Sequence, residues 1–207
     1  MKRNAILFSI LVILLLTAFF CDLFVGNAHI SIRETWAALW GISGDAITDE
    51  IVRNYRMPKA LTSILAGASL SVAGLLMQTL FRNPLAGPDV LGVSAGAGLG
   101  VALLTMLNGS FLYPIISTLG SMAQVIAAIA GAALTLLLIL FVSSRINDSI
   151  TILVLGMIFG YVASAAVTIL QSFADPDSLK VFVTWTFGST SNVTWNKMPI
   201  MAGIVII

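Results

Sequence analysis

From Val90 to Ser144 the sequence contains no Asp, Glu, Lys or Arg. A second charge-free stretch of 22 residues lies between Lys59 and Arg82, and as an α-helix it would be about 33 Å long. The hydrocarbon core of a bilayer is roughly 30 Å thick, so both stretches are long enough to cross it. Only 9% of the 207 residues are charged, against about 25% in soluble domains. These features predict a helical membrane protein.

The composition also excludes several other classes of protein. The formal net charge is +1 and no basic patch is interleaved with aromatic residues, so no nucleic-acid partner is expected. Cys21 is the single cysteine, which excludes an intrachain disulfide and a CxxC metal or redox site. His29 stands alone, and no Ser, Cys, His or carboxylate pair has the spacing of an active site. We therefore predict no catalytic residue, no metal site and no cofactor.

The alternation of apolar and polar stretches predicts five membrane spans and the start of a sixth. The first apolar run follows Lys2 and Arg3, as in a signal peptide, but no small-residue cleavage site follows it, so we predict an uncleaved span. The last run begins at Met198 and covers about ten residues, half of a crossing, so we expect the chain to be the front part of a longer protein. The spans predicted for this single transmembrane domain, residues 1–207, are about 5–24, 58–81, 90–107, 114–142 and 150–173, with the truncated run from 198.

Polar segments separate these spans. Residues 26–55 contain Ser31-Ile-Arg-Glu34, a capping-box pattern that predicts the start of a helix. Trp36, Leu39 and Trp40 fall on one face of this helix, and because tryptophan favours the membrane–water boundary, we predict a short helix on the membrane surface. Residues 175–197 contain two tryptophans and predict a second interfacial segment. Two prolines and a glycine end the helix after the second span and turn the chain. The structural hinge predicted there comprises Arg82, Asn83, Pro84 and Pro88.

Small and hydroxylated residues recur every four positions in the fifth predicted span, at Gly156, Gly160, Ser164 and Thr168. The GxxxG spacing is typical of close helix packing, but such a stripe would also line a passage, and the residues alone leave both interpretations open. In the third span, the run from Gly96 to Gly100 has no GK[ST] and no preceding strand. It therefore predicts small-residue packing rather than a nucleotide-binding loop.

Three segments match one pattern of residues. They are Arg56-Met-Pro-Lys59 leading into Gly67, Ala68, Ser71, Gly74 and Gln78; Arg82-Asn-Pro-Leu-Ala86 with Pro88 and Leu91-Gly-Val-Ser94 to Ala97; and, more weakly, Trp185, Gly188, Ser189 and Trp195. Together they resemble the FecCD-type permease family, the membrane subunits of bacterial importers for iron–siderophores, haem and vitamin B12. Lys59 stands where that family typically has Arg, which keeps the charge but loses the bidentate guanidinium.

The resemblance implies an all-α polytopic membrane protein with the helical-bundle fold of a type II ABC importer permease, which has about ten spans. It implies a multi-pass subunit of the bacterial cytoplasmic (inner) membrane that takes up an iron–siderophore, haem or cobalamin. The implied partners are a second permease copy, cytoplasmic ATPase subunits, a periplasmic or lipid-anchored substrate-binding protein, and membrane lipid. In the family the N-terminus is cytoplasmic. The flanking charges favour the reverse, with four cations on the side of the N-terminus and six on the other.

The resemblance also implies roles for individual residues. Arg56 and Lys59 would meet acidic residues of the binding protein, and the stripe Gly156, Gly160, Ser164 and Thr168 would line the translocation pathway. Asn147, Asp148 and Ser149 occupy the place of the cytoplasmic gate loop.

Two alternatives to an ABC permease remain on the sequence. An ion-coupled secondary transporter would need ionisable groups inside the membrane, and the central parts of spans two to five contain none. A non-transporting structural membrane subunit would not need the polar stripe or the basic pair.

Overall fold

A computed structural model describes residues 2–26, 28–106, 119–146, 148–191 and 193–206. The described residues form helices and connecting turns and contain no β-strand, so the all-α prediction is confirmed. A π-helical segment (Ile51–Arg56) and a 3-10 turn (Pro88–Leu91) accompany the α-helices. These are α1 (Lys2–Phe24), α2 (Ile32–Leu39), α3 (Ala46–Glu50), α4 (Met57–Phe81), α5 (Val93–Met106), α6 (Ser121–Ser143), α7 (Ser149–Phe173), α8 (Pro176–Thr186) and α9 (Met198–Ile206).

The helices divide into two compact units, Met1–Ser69 with Ser189–Ile207 and Leu70–Gly188. In the first unit, α2 begins with the predicted capping box, in which the Ser31 hydroxyl accepts the Glu34 N–H and the Glu34 carboxylate accepts the Ser31 N–H. Leu23 of α1 and Val52 of the π-helical segment are almost fully buried. The short helices therefore pack around the end of α1.

One continuous helix runs from Ala46 through the π-helical segment to Phe81, a length of 36 residues. The second predicted span, 58–81, covers only its C-terminal part. The π-helical turns bring Arg53 and Arg56 into the helix, so these cations lie in a helical segment and not in a loop.

The second unit is built around α5, which packs against α6, α7 and α8. One buried cluster joins Leu91, Ile139 and Leu153, and a second joins Val101, Ala102 and Phe182. Val101 and Ala102 have no exposed surface. Helix α5 is therefore the interior helix of this unit.

Four of the described helices have the length and apolar composition needed to cross a membrane: Arg3–Phe24, Ala46–Phe81, Met122–Ser143 and Ser149–Phe173. They overlap the predicted spans 5–24, 58–81, 114–142 and 150–173. The third predicted span, 90–107, contains a 3-10 turn and the shorter helix α5 of 14 residues. Residues 107–118, which include the start of the predicted span 114–142, lie outside the described residues.

Candidate functional site

The two cations predicted to dock a partner both have internal contacts in the first unit. The Arg56 side chain is 7% exposed. Its Nη1 donates to the carbonyl oxygens of Leu23 at 3.0 Å and Phe24 at 3.1 Å, and its Nη2 donates to that of Ala28 at 2.7 Å. Carbonyls at a helix C-terminus lack intrahelical donors, so the guanidinium caps the end of α1. A Cβ on Gly26 would lie 3.0 Å from this guanidinium, so the loop comes closest to Arg56 at a glycine.

Lys59 lies about one turn further along the same helix and forms an ion pair. Its Nζ donates to Asp22 Oδ1 at 2.8 Å, and the two side chains are 37% and 31% exposed, respectively. The second carboxylate oxygen, Asp22 Oδ2, is buried and has no hydrogen-bond partner. We call the Arg56 contacts and the Asp22–Lys59 pair the α1–α4 clamp, because both connect the end of α1 with the start of α4. The docking role of Arg56 and Lys59 stays a prediction.

An open cavity of about 500 Å³ lies in the same unit as the clamp. Its lining includes Asp49, Glu50, Arg53 and Trp195. The Trp195 Nε1–H donates to the backbone carbonyl of Arg53 at 2.9 Å. The Arg53 side chain is exposed. The cavity therefore presents both signs of charge next to an aromatic ring.

The predicted pathway stripe on α7 divides into two halves. A Cβ on Gly156 would lie 2.8 Å from Leu91 Cα, and a Cβ on Gly92 would lie 2.8 Å from the backbone of Gly156 and of Gly160. The two stripe glycines therefore pack against the turn that precedes α5. Ser164 and Thr168 are exposed, and the Thr168 hydroxyl donates to the Ser164 carbonyl at 3.0 Å.

Helix geometry explains this division. Each step of four residues advances about 400°, so successive stripe positions rotate by about 40° and the first and last differ by about 120°. The glycines can therefore face a packed neighbour while the hydroxyls face outward. The assignment of all four residues to a pathway stays a prediction.

The predicted gate residues begin α7. Asn147 lies outside the described residues, and Ser149 is the first residue of the helix. Asp148 is its N-cap, because its Oδ2 accepts the Thr151 hydroxyl at 2.5 Å and the Thr151 N–H at 2.9 Å. These two hydrogen bonds, the hydroxyl first, hold the pKa of Asp148 below its usual value. The cap is therefore ionised near neutral pH.

The predicted hinge forms a turn between α4 and α5 in the second unit. Arg82 ends the helix in the left-handed region, with φ 47°. The Asn83 side chain accepts the Leu85 N–H at 2.9 Å, which forms a local turn around Pro84. Pro88 then begins the 3-10 turn, and Gly92, with φ 66°, ends it.

Among the described residues, no group of three or more His, Cys, Asp or Glu side chains is placed to hold a metal ion. That the protein contains neither a metal nor a cofactor stays a prediction.

Comparison of the sequence with known protein families identifies one family. A sequence model of the FecCD transport family matches residues 13–207. The chain belongs to the FecCD transport family.

Relatives of this FecCD chain include named permeases. The vitamin B12 import system permease protein of Serratia proteamaculans is 37% identical over 163 residues, which cover 78% of this chain and 46% of that protein. The hemin transport system permease protein of Yersinia pestis is 30% identical over 185 residues, which cover 88% of this chain and 54% of that protein. The chain thus spans about half the length of these curated relatives.

A solved structure supports the fold. The structure described as "An inward-facing conformation of a putative metal-chelate type ABC transporter" matches with a TM-score of 0.74 at 26% identity, covering 98% of this chain and 59% of that one. The predicted fold class, a helical bundle of the ABC importer permease kind, is confirmed.

Sequence reasoning missed two residues at the candidate sites of this FecCD chain. Asp22 ends the first span on the same predicted side as Lys59, so their opposite charges were a signal of pairing. Tyr161 is 74% exposed on α7. It lies three residues before Ser164 and seven before Thr168, a spacing that places all three on one helix face.

Proposed function

We propose that this chain is part of the membrane-spanning permease subunit of a binding-protein-dependent ABC importer. In this proposal it works as a dimer in the bacterial inner membrane, with ATP hydrolysis on separate cytoplasmic subunits. A periplasmic or lipid-anchored binding protein delivers the cargo, which is an iron–siderophore, haem or cobalamin. Membership of the FecCD transport family is the observation that carries the proposal.

The absence of charge from the spans supports an external energy source. Residues 60–81, 90–144 and 149–174 contain no Asp, Glu, Lys or Arg. A carrier coupled to protons or ions uses an ionisable group inside the membrane to bind or offset the coupling ion. A separate ATPase removes that requirement, which favours the ABC importer over the secondary transporter.

The outward face of α7 supports a route for a large polar cargo. Tyr161, Ser164 and Thr168 are exposed and uncharged, so they could bind a chelate through weak hydrogen bonds without a net field. In this proposal these three residues face the pathway between two permease copies, and Gly156 with Gly160 permits the close packing that fixes the orientation of α7. The gate role of Asp148 and Ser149 belongs to the same proposal.

Reconstitution tests the proposal. The chain, in its native full-length protein, is placed in proteoliposomes with candidate ATPase and binding-protein subunits from the same organism, and ATP hydrolysis and uptake of radiolabelled cobalamin, haemin or a ferric siderophore are measured. We expect uptake that requires ATP and the binding protein and that survives collapse of the proton gradient. Uptake that stops with the gradient while ATP remains would instead identify an ion-coupled carrier, and no uptake of any solute would favour a structural subunit.

A matched pair of variants tests the pathway separately. Ser164→Leu adds bulk to the exposed hydroxyl face and should reduce uptake without reducing binding-protein-stimulated ATP hydrolysis. Val162→Leu adds bulk at a position that is 62% exposed but lies about 160° away around the helix, and it should leave uptake unchanged. Equal effects of the two substitutions would contradict the pathway assignment.

A further inference from the structure

We propose that Lys59 exchanges carboxylate partners: an acidic side chain of the binding protein replaces Asp22 on the Lys59 ammonium and so releases one half of the α1–α4 clamp. The proposal rests on the proposed function, because it takes the docking partner to be the substrate-binding protein. It adds Asp22 as an internal competitor for that partner.

Only one of the two clamp cations is free to exchange. The Arg56 guanidinium is nearly buried and donates to three backbone carbonyls. Removing it would leave those carbonyls, one buried and two partly buried, without their donor, and an unsatisfied acceptor away from water is destabilising. Lys59 has no such role, since its ammonium contacts one carboxylate within the described residues. Arg56 therefore holds the end of α1 in place, and Lys59 is the cation that can form an ion pair with a partner.

The geometry of the pair leaves room for a second carboxylate. An ammonium has three donors, and the Lys59 side chain is 37% exposed. A partner carboxylate can therefore approach Lys59 from solvent before the bond to Asp22 breaks. The exchange then conserves the number of charged hydrogen bonds to Lys59.

Only one of the two Asp22 carboxylate oxygens is hydrogen-bonded, so little free energy is lost when Asp22 leaves Lys59. One of its oxygens bonds to Lys59, but the other is buried without a partner. An unsatisfied buried acceptor offsets much of the stabilisation that an ion pair provides. When Asp22 leaves, that oxygen can be hydrated. The net stabilisation from the Asp22–Lys59 pair is therefore small enough for a partner carboxylate to displace Asp22.

The exchange would couple docking to α1. Asp22 lies in the last turn of α1, two residues before Phe24 ends the helix. Once Lys59 binds a partner, this turn is held by Arg56 alone, so its backbone amides should exchange hydrogen faster.

The affinity of the binding protein tests the competition. The native full-length protein is placed in nanodiscs at low ionic strength, because exposed pairs are screened by salt, and titrated with the binding protein that stimulates ATP hydrolysis in the reconstituted importer. Asp22→Asn is isosteric and removes the competing charge, so we expect Kd to fall about two- to fivefold, the equivalent of a partly exposed ion pair. Lys59→Gln should weaken binding, and Asp22→Asn should give no gain in that background.

Glu50→Gln is the matched control. Like Asp22→Asn, it removes one negative charge, but at a position nine residues before Lys59. There the Glu50 carboxylate accepts a hydrogen bond from the Asn54 side chain at 2.7 Å and forms no ion pair with a described cation. It should leave Kd unchanged. A similar gain from both substitutions would show a general charge effect and overturn the exchange.

The remaining outcomes separate the two proposals. No binding to the wild type would refute the docking partner and the exchange together. Wild-type binding that Asp22→Asn fails to tighten, or binding that fails to speed amide exchange in residues 22–25, would refute the exchange and leave the proposed function standing.

Discussion

The contact between α5 and α6 allows a sharp test of the packing in the second unit. Gly100→Ala would place a methyl group 2.2 Å from the backbone carbonyl oxygen of Ala127, while ordinary contacts begin at 3.4 Å. A backbone oxygen cannot rotate away as a side chain can, so the helices must separate by about 1.2 Å. Gly131→Ala, on the facing helix α6, would produce a similar clash, because its Cβ would lie 2.2 Å from the Gly96 carbonyl oxygen.

Two opposing terms set the magnitude. Overpacking costs about 1–3 kcal/mol, and a backbone clash of this size belongs at the upper end of that range. Replacing a helical glycine by alanine returns about 1 kcal/mol of helix propensity. We therefore expect Gly100→Ala to lower the free energy of unfolding by about 2 kcal/mol.

Gly98 is the matched control on the same helix. A Cβ there would have no neighbouring atom within 4 Å, so Gly98→Ala should gain up to about 1 kcal/mol of helix propensity without a clash. Unfolding of both variants in mixed micelles of mild detergent and dodecyl sulfate, followed by circular dichroism, measures the difference. If the Gly100 variant proves as stable as the Gly98 variant, the close contact between α5 and α6 does not exist.

Three further predictions concern the clamp, the turn before α5 and the cap of α7. Arg56→Lys cannot reach all three carbonyls, so it should destabilise the end of α1 by on the order of 2 kcal/mol and speed maleimide labelling of the exposed Cys21; Arg33→Lys, at an exposed position, should not, and equal labelling would contradict the clamp. Gly92→Ala combines a positive φ with backbone contacts at 2.8 Å, so it should lower stability in the micelle assay more than Gly98→Ala, and a neutral effect would refute the contact with α7. Because the folded pKa of Asp148 lies below its ordinary 3.8, its cap is complete above that pH and is lost as the pH falls through the lowered pKa; faster amide exchange in the first turn of α7 should appear only there, and an onset near neutral pH would exclude Asp148 as its cause.

Local chemistry made part of this protein predictable from the sequence. The capping box joins Ser31 and Glu34, three residues apart, so its pattern could be read directly. The charge-free stretches predicted long helices because, in lipid, a backbone must satisfy its own hydrogen bonds. The run from Gly96 to Gly100 predicted close packing, which the contacts of Gly96 and Gly100 confirm.

What the sequence could not supply was the partner of each group. The charges of Arg56 and Lys59 were visible, but the acceptors of Arg56 lie 28 to 33 residues earlier in the chain, and the acid that pairs with Lys59 lies 37 residues earlier. A cation in a sequence is equally suited to an external acid, a lipid headgroup or a backbone carbonyl. The tertiary structure decides among these acceptors, because it places the start of α4 next to the end of α1.

The stripe on α7 shows the same division between sequence and structure. Its spacing of four residues was evident, and the rotation of about 40° per step follows from the geometry of any α-helix. The sequence therefore determined that the stripe turns around the helix. The tertiary structure decided which end is covered, because Gly92 approaches Gly156 and Gly160 and leaves Ser164 and Thr168 exposed. Contact between segments about 65 residues apart depends on how the helices assemble, and no local pattern encodes it.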